Sequence, residues 1–147
     1  FTQGTLSQPN TFFAVAKLDS NDDTNRKIFD SHNSTGRNML FLSPTNAGEF
    51  GFFATAVITT GETADANNNL FTALYDGTSS VLRVNTVQKA AGNVGTMSMI
   101  GLIIGESHNQ NSNVWKGNIQ EIIVYNSDQT SKFTALETNI KNNYSIS

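Results

Sequence analysis

The sequence predicts an all-β protein, a sandwich of antiparallel strands with a short helix at its C-terminus. Three observations predict it. Short runs rich in β-branched and aromatic residues recur, with turn signals every ten or so residues. Apolar residues alternate within several of these runs. Only after Tyr125 does the spacing turn helical, through Phe133, Leu136, Ile140 and Tyr144. The organising stretch is Trp115-Lys116-Gly117-Asn118-Ile119-Gln120-Glu121-Ile122-Ile123-Val124-Tyr125-Asn126. Gly117 stands where a strand needs a bulge or a close backbone approach. Period-two counting puts Gln120, Ile122, Val124 and Asn126 on one face and Ile119, Glu121, Ile123 and Tyr125 on the other. Apolar residues on both faces predict a central strand, the last of the sandwich.

In chain order, residues 2–10 are polar and contain Pro9, which suits an opening segment or an edge strand. Residues 11–18 form a strand whose Phe12, Ala14, Ala16 and Leu18 face the core. Residues 19–25 are a surface loop. Residues 26–31 and 37–42 make a hairpin across the polar turn His32-Asn33-Ser34-Thr35-Gly36. Residues 50–59 read as one strand and 61–69 as a loop. Residues 70–75 and 80–85 flank the turn at Asp76-Gly77, the clearest hairpin. Residues 89–95 read as a loop, 97–104 as a buried strand closed by Gly105, and 106–113 as a long polar loop. A helix is predicted over about 130–142, with Thr134 and Glu137 as a capping box.

Length and composition set the limits. At 147 residues and 37% hydrophobic content the chain is expected to be one domain, 1–147, with one core. Without cysteine there is no disulfide framework and no thiolate chemistry. A net charge of −3 with no basic stripe argues against nucleic acid as partner. No apolar run approaches the ~20 residues of a membrane span. Asn, Ser and Thr make up 50 residues, a surface chemistry suited to polyol-like ligands and an extracellular setting, or simply to a loop-rich β protein. No signal peptide is recognised, and a chain opening at Phe1 is expected to be part of a larger polypeptide or assembly.

The Tyr75-Asp76-Gly77 hairpin leading to Leu82-Arg83-Val84-Asn85, the strand Ile100-Gly101-Leu102-Ile103-Ile104-Gly105, and the organising stretch with its amphipathic tail occur in an order that resembles a known family. It is similar to the laminin-G-like members of the concanavalin A-like lectin/glucanase superfamily, from about Thr11 to the end. There an aromatic-x-Gly-x-Ile-acidic-Glu-hydrophobic strand ends in Tyr-Asn and leads to a short helix. Gln120 departs from that pattern, which commonly has Asp. The resemblance implies an antiparallel two-sheet jelly-roll sandwich with one concave face, and it leaves function open. The segment 122–144 also looks like domains of phage structural proteins and of Bacteroidota surface proteins.

For catalysis, a retaining glycosidase needs paired carboxylates about 5 Å apart on a cleft. The five glutamates, at 49, 62, 106, 121 and 137, show no alternating acidic pattern, and Glu121 alone sits on a convincing strand. The chain is therefore expected not to be an enzyme, and catalytic residues are none. For metal, Asp19, Asp22 and Asp23, with Asn21, cluster hard oxygen ligands in one loop as Ca²⁺ prefers. Calcium is the one candidate cofactor, none being required, and a solvated acidic loop is the competing reading.

Glycan binding combines aromatic faces with amide, guanidinium or carboxylate hydrogen bonds. The candidate residues are His32, Asn33 and Arg37, the hairpin residues Tyr75 and Arg83, and the loop residues His108, Asn109 and Asn111 ahead of Trp115. Trp115 is also where the family places a core aromatic, and Tyr75 with Arg83 suits a cross-strand packing pair equally well. The leading expectation is a non-catalytic carbohydrate-binding module for a polysaccharide or surface glycan, with the arginines and histidines leaning toward an anionic one. Such a module would be secreted, on a cell surface or on a virion. The alternative is a structural or receptor-binding module of a phage virion, surface fibre or adhesin. A polysaccharide hydrolase or lyase is the weaker third.

Overall fold

The computed structural model describes residues 4–19, 25–43, 48–109 and 111–147. The strands are β1 (Thr5–Leu6), β2 (Asn10–Leu18), β3 (Lys27–Asp30), β4 (Met39–Leu42), β5 (Glu49–Phe53) and β6 (Val57–Thr63). They continue as β7 (Asn68–Tyr75), β8 (Ser80–Val84), β9 (Val87–Gly92), β10 (Met99–Ile100), β11 (Ile103–Ile104) and β12 (Gly117–Tyr125), and the helix α1 (Phe133–Tyr144) follows. Two five-stranded sheets face each other, in the orders β12-β2-β7-β8-β9 and β11-β3-β4-β5-β6, and β1 pairs with β10 apart from them. Every pairing between these strands is antiparallel, as in a two-sheet sandwich.

β2 explains the layering. Its Phe12, Ala14, Ala16 and Leu18 enter the core between the sheets, as the alternation predicts. Its Phe13 and Val15 enter a second cluster with Leu70, Leu74, Phe133 and Ile140, beneath α1. A strand buried on both faces has to be apolar over its covered stretch, and β2 is from Phe12 to Ala16. In the core, Phe12 stacks on Phe29 at 4.5 Å between ring centroids. Tyr75 meets Phe12 and Phe52 edge-on at 5.8 and 5.7 Å.

Tyr75 is fully buried, and its hydroxyl donates across the core to Met39 O at 2.7 Å. Burial, reinforced by the charge of Asp30, holds this phenol protonated well beyond the ordinary tyrosine range. The expected glycan-facing Tyr75 is thus corrected to a tie between the sheets. Tyr75→Phe leaves the Met39 carbonyl without its donor, and urea denaturation is expected to show a loss of about 1–3 kcal/mol.

β12 is the last strand but not a central one: it lies at the edge of its sheet, beside β2. The register slips between Ile119 and Glu121, so Gln120 is the extra residue of a β-bulge. The slip moves Ile119 to the core side with Ile122 and Val124, while Ile123 and Tyr125 face the helix. Simple period-two counting therefore misassigns Ile119. Gly117 does need its missing side chain: at φ +144°, a Cβ there would lie 2.0 Å from Lys17 O.

Other boundaries also move. The single run at 50–59 is a hairpin, β5 to β6. The supposed loop at 89–95 contains most of β9, and the supposed strand at 97–104 breaks into β10 and β11 at Gly101, φ +67°. The helix begins at Phe133 without a side-chain cap, so the capping box is not formed. Glu137, 1% exposed, points into the sheet instead. It accepts from Thr72 Oγ1 at 2.8 Å and pairs with Arg83 at 2.7 Å. Arg83 also lies 5.6 Å from the Phe133 ring centroid and donates to Thr86 O. It is therefore a clamp for α1, which corrects its expected place on a ligand face.

Candidate functional site on the outer face of the second sheet

α1 covers the outside of one sheet; among the described residues no helix covers the other. Along β4 the side chains at even positions, Leu40 and Leu42, enter the core. Arg37, Met39 and Phe41 therefore alternate onto the outer face. β5 adds Gly51 and Phe53, which pair with Phe41 and Met39. β3 adds Lys27 and Asp30, because a register shift between Lys27 and Phe29 lets both charged residues face outward while Ile28 and Phe29 stay in the core. Gly51 keeps the face low: a Cβ there would come within 3.1 Å of the Phe41 ring.

Asp30 is the anchor. It is completely buried and forms a two-pronged ion pair with Arg37, from Nε at 3.0 Å and from Nη2. It also accepts from Ser31 N at 2.8 Å, His108 N at 3.1 Å and Ser107 Oγ at 3.4 Å. The bonds from Ser107 and His108 fasten their loop to the β3–β4 hairpin. Arg37 is 17% exposed, lies 5.7 Å from the Phe53 ring centroid and touches Met39 Sδ at 3.3 Å. Its Nη1 has no hydrogen bond to a described residue. A planar cation is thus held rigidly beside a half-buried aromatic ring.

Lys27 lies deeper, over Phe41 at 4.6 Å and donating to Asn25 Oδ1 at 2.6 Å. Burial pushes its ammonium pKa down to about 8; Asp30 pulls it back up and Arg37 adds to the fall. The unfolded chain holds this proton to a higher pH than the native state does. Folding stability is therefore expected to rise between about pH 8 and the ordinary lysine pKa of 10.5. Lys27→Met is expected to flatten that rise in denaturant titrations.

The structure unites Arg37 and His108 through Asp30. His32 and Asn33 follow Asp30 in the exposed hairpin turn, where Asn33 Oδ1 accepts from Thr35 N at 2.8 Å. Asn109 and Asn111 are exposed in the loop after His108, and Asn111 N donates to Glu106 Oε2 at 2.8 Å. Trp115 is not part of this surface: it is 7% exposed and donates Nε1–H to Lys17 O at 3.2 Å, which decides for packing. Asp19 is exposed, and Asp22 and Asp23 lie outside the described residues, so the calcium expectation rests on positions the structure does not describe. Among the described residues no group of three or more His, Cys, Asp or Glu is placed to hold a metal ion.

Sequence reasoning missed Asp30, Lys27 and Phe53. A signal existed: opposite charges at 27 and 30 flank two large apolar residues in a four-residue strand, facing Arg37 across a turn.

Ser107, His108 and Asp30 meet, but Ser107 Oγ and Asp30 Oδ2 both approach the same ring nitrogen, Nδ1, at 3.3 and 3.6 Å. A Ser-His-Asp relay uses one ring nitrogen for the nucleophile and the other for the acid. Ser107 is also only 2% exposed. Glu121, the strand glutamate, faces the helix side, hydrogen-bonded to Tyr144; desolvation and this carboxylate raise the tyrosine pKa.

No family model matches the chain, and no curated protein matches it. Solved structures do. Domain 4 of AbnA, a GH43 extracellular arabinanase from Geobacillus stearothermophilus in complex with arabinotriose, superposes with a TM-score of 0.59 at 14% identity, over 83% of this chain and 61% of that one. Trypanosoma rangeli sialidase, with 2,3-difluorosialic acid as a covalent intermediate, gives 0.61 at 15% identity, over 83% of this chain and 21% of that one. Domains LG4-5 of the mouse laminin alpha1 chain give 0.56 at 12% identity, over 86% and 40%. The chain thus spans less than two thirds of each. These likenesses show a laminin-G-like, concanavalin A-like sandwich fold.

Proposed function

We propose that this domain is a non-catalytic glycan-binding module, and that the outer face around Arg37 is its binding surface. One observation carries the reading. A completely buried carboxylate, Asp30, locks a partly exposed guanidinium beside the Phe53 ring, with exposed amides, the exposed His32 and the half-buried His108 on the rim. Buried charge is costly to keep, so a cluster of it on a sheet face is a candidate functional surface. Phe53 and the 50%-exposed Val57 paired with it supply the apolar side on which a sugar ring stacks. Arg37 Nη1 supplies a donor suited to a carboxylate or sulfate group.

The preferred ligand is therefore an anionic polysaccharide outside the cell, which agrees with the arabinotriose complex of the arabinanase domain in class though not in charge. Affinity electrophoresis through gels containing acidic or neutral polysaccharides tests it. Retardation by an acidic polysaccharide, reduced about tenfold in Phe53→Ala, is the expected result. Equal migration in every gel would remove the reading. Release of shortened oligosaccharides would replace it with an enzymatic one.

A further inference from the structure

The two sheets do not close evenly along their free edges. At one end β6 and β9 touch, where a Cβ on Gly92 would come within 3.1 Å of Ile58 Cδ1. At the other end they part and leave a cleft of about 240 Å³. Phe50, Ala64, Val84 and Val87 line its apolar side; Phe50 is braced by Phe71 at 4.6 Å between centroids. Asp65, Asn69 and Asn85 form its polar wall.

The wall is a preformed lattice. Asn85 Oδ1 accepts from Leu70 N at 2.9 Å, and Asn85 Nδ2 donates to Asn69 Oδ1 at 2.8 Å. Asn69 Nδ2 donates to Asp65 Oδ1 at 2.8 Å, and Asn67 Nδ2 to Asp65 Oδ2 at 2.8 Å. At the mouth Lys89 Nζ binds Glu62 Oε2 at 2.7 Å.

We propose that this inter-sheet cleft is a second ligand site, and that it takes a single neutral pyranose ring. The apolar wall matches the C–H face of the ring, and the carboxylate and amides opposite match its hydroxyls. The volume, below the ~300 Å³ at which drug-sized sites begin, suits one ring seated within the cleft. The ionisable lining holds two carboxylates and one ammonium, which disfavours an anionic sugar, opposite to the outer face.

Glu62 and Asp65 stand three residues apart and share this cleft, a pairing the alternating-acid search passes over. Glycoside hydrolysis needs one such carboxyl protonated. Desolvation would raise the Asp65 pKa, but hydrogen bonds from Asn69 and Asn67 outweigh it and hold the pKa below the ordinary value. Glu62 is 64% exposed and engaged by Lys89. Asp65 is thus equipped to accept hydroxyl hydrogens.

The test is an amide-resolved NMR titration with the methyl glycosides of glucose, galactose and mannose. At least one is expected to shift amides at 62–69 and 84–89 with millimolar affinity. Val87→Arg, at a 54%-exposed position on the mouth, is expected to abolish those shifts while the spectrum stays folded. Phe53→Ala on the outer face is expected to leave them unchanged, so this site and the outer face succeed or fail separately. No response to any of the three, or a response that persists in Val87→Arg, would overturn the proposal. Equal binding of methyl glucuronide would overturn its charge preference.

Discussion

Asp30→Ala is expected to lower folding stability by about 3–5 kcal/mol, because removing one partner of a buried ion pair leaves the other charge uncompensated. The loss reaches further than Arg37. Ser31 N, His108 N and Ser107 Oγ lose their acceptor together, and the last two hold their loop to the β3–β4 hairpin. Denaturant unfolding checks the magnitude, and hydrogen exchange in residues 106–113 checks the cause. A loss below about 1 kcal/mol would put Asp30 among weak surface pairs. Asp30→Asn keeps the shape and removes the charge, so it separates the ionic part from the hydrogen-bonded part.

Glu137→Ala is expected to cost about 3 kcal/mol, at the low end for a buried pair because Arg83 reaches solvent at 22% exposure. Glu137 carries the only carboxylate of α1, and it binds both Thr72 of β7 and Arg83 of β8. Its loss is expected to free the helix before the sandwich, visible as early exchange of α1 amides. Replacing both partners by apolar residues, Glu137→Leu with Arg83→Met, is expected to recover most of the stability, since well-packed apolar replacements of buried ion pairs are commonly neutral or better. Failure of the double variant to recover would mean that the Thr72 bond matters more than the charge pair.

These two pairs also show what the sequence could and could not reveal. β2 was legible because its apolar positions are fixed by burial on both faces, and the Asp76-Gly77 turn was legible because its chemistry is local. β12 was legible as a strand but not in register: nothing local marks Gln120 as a bulge, and one extra residue reverses every assignment before it. Arg37 and Arg83 look alike in sequence, each a cation at or within a short strand. Which one is free to meet a ligand depends on which sheet α1 covers, a tertiary fact that periodicity does not encode. Tyr75 stays ambiguous in sequence for the same reason, since alternation separates two faces without saying which is the core.

The outer-face site was half legible. Arg37, His108 and the loop amides stand in polar turns where binding residues collect. Asp30 and Lys27 were passed over because a charge in a four-residue strand reads as solvated unless the bulge at Ile28 is known. The inter-sheet cleft was not legible at all, because its lining comes from 50, 60–69 and 84–89, brought together only by the divergence of two edges.

The claim that this domain recognises an acidic glycan on the outer face of its second sheet is tested most directly by NMR titration with an acidic oligosaccharide. The account predicts shifts at amides of residues 37–39, 51–57 and 107–109, weakened in Phe53→Ala, with the ligand recovered intact. Shifts confined to other surfaces, or no shifts with any acidic oligosaccharide, would contradict it.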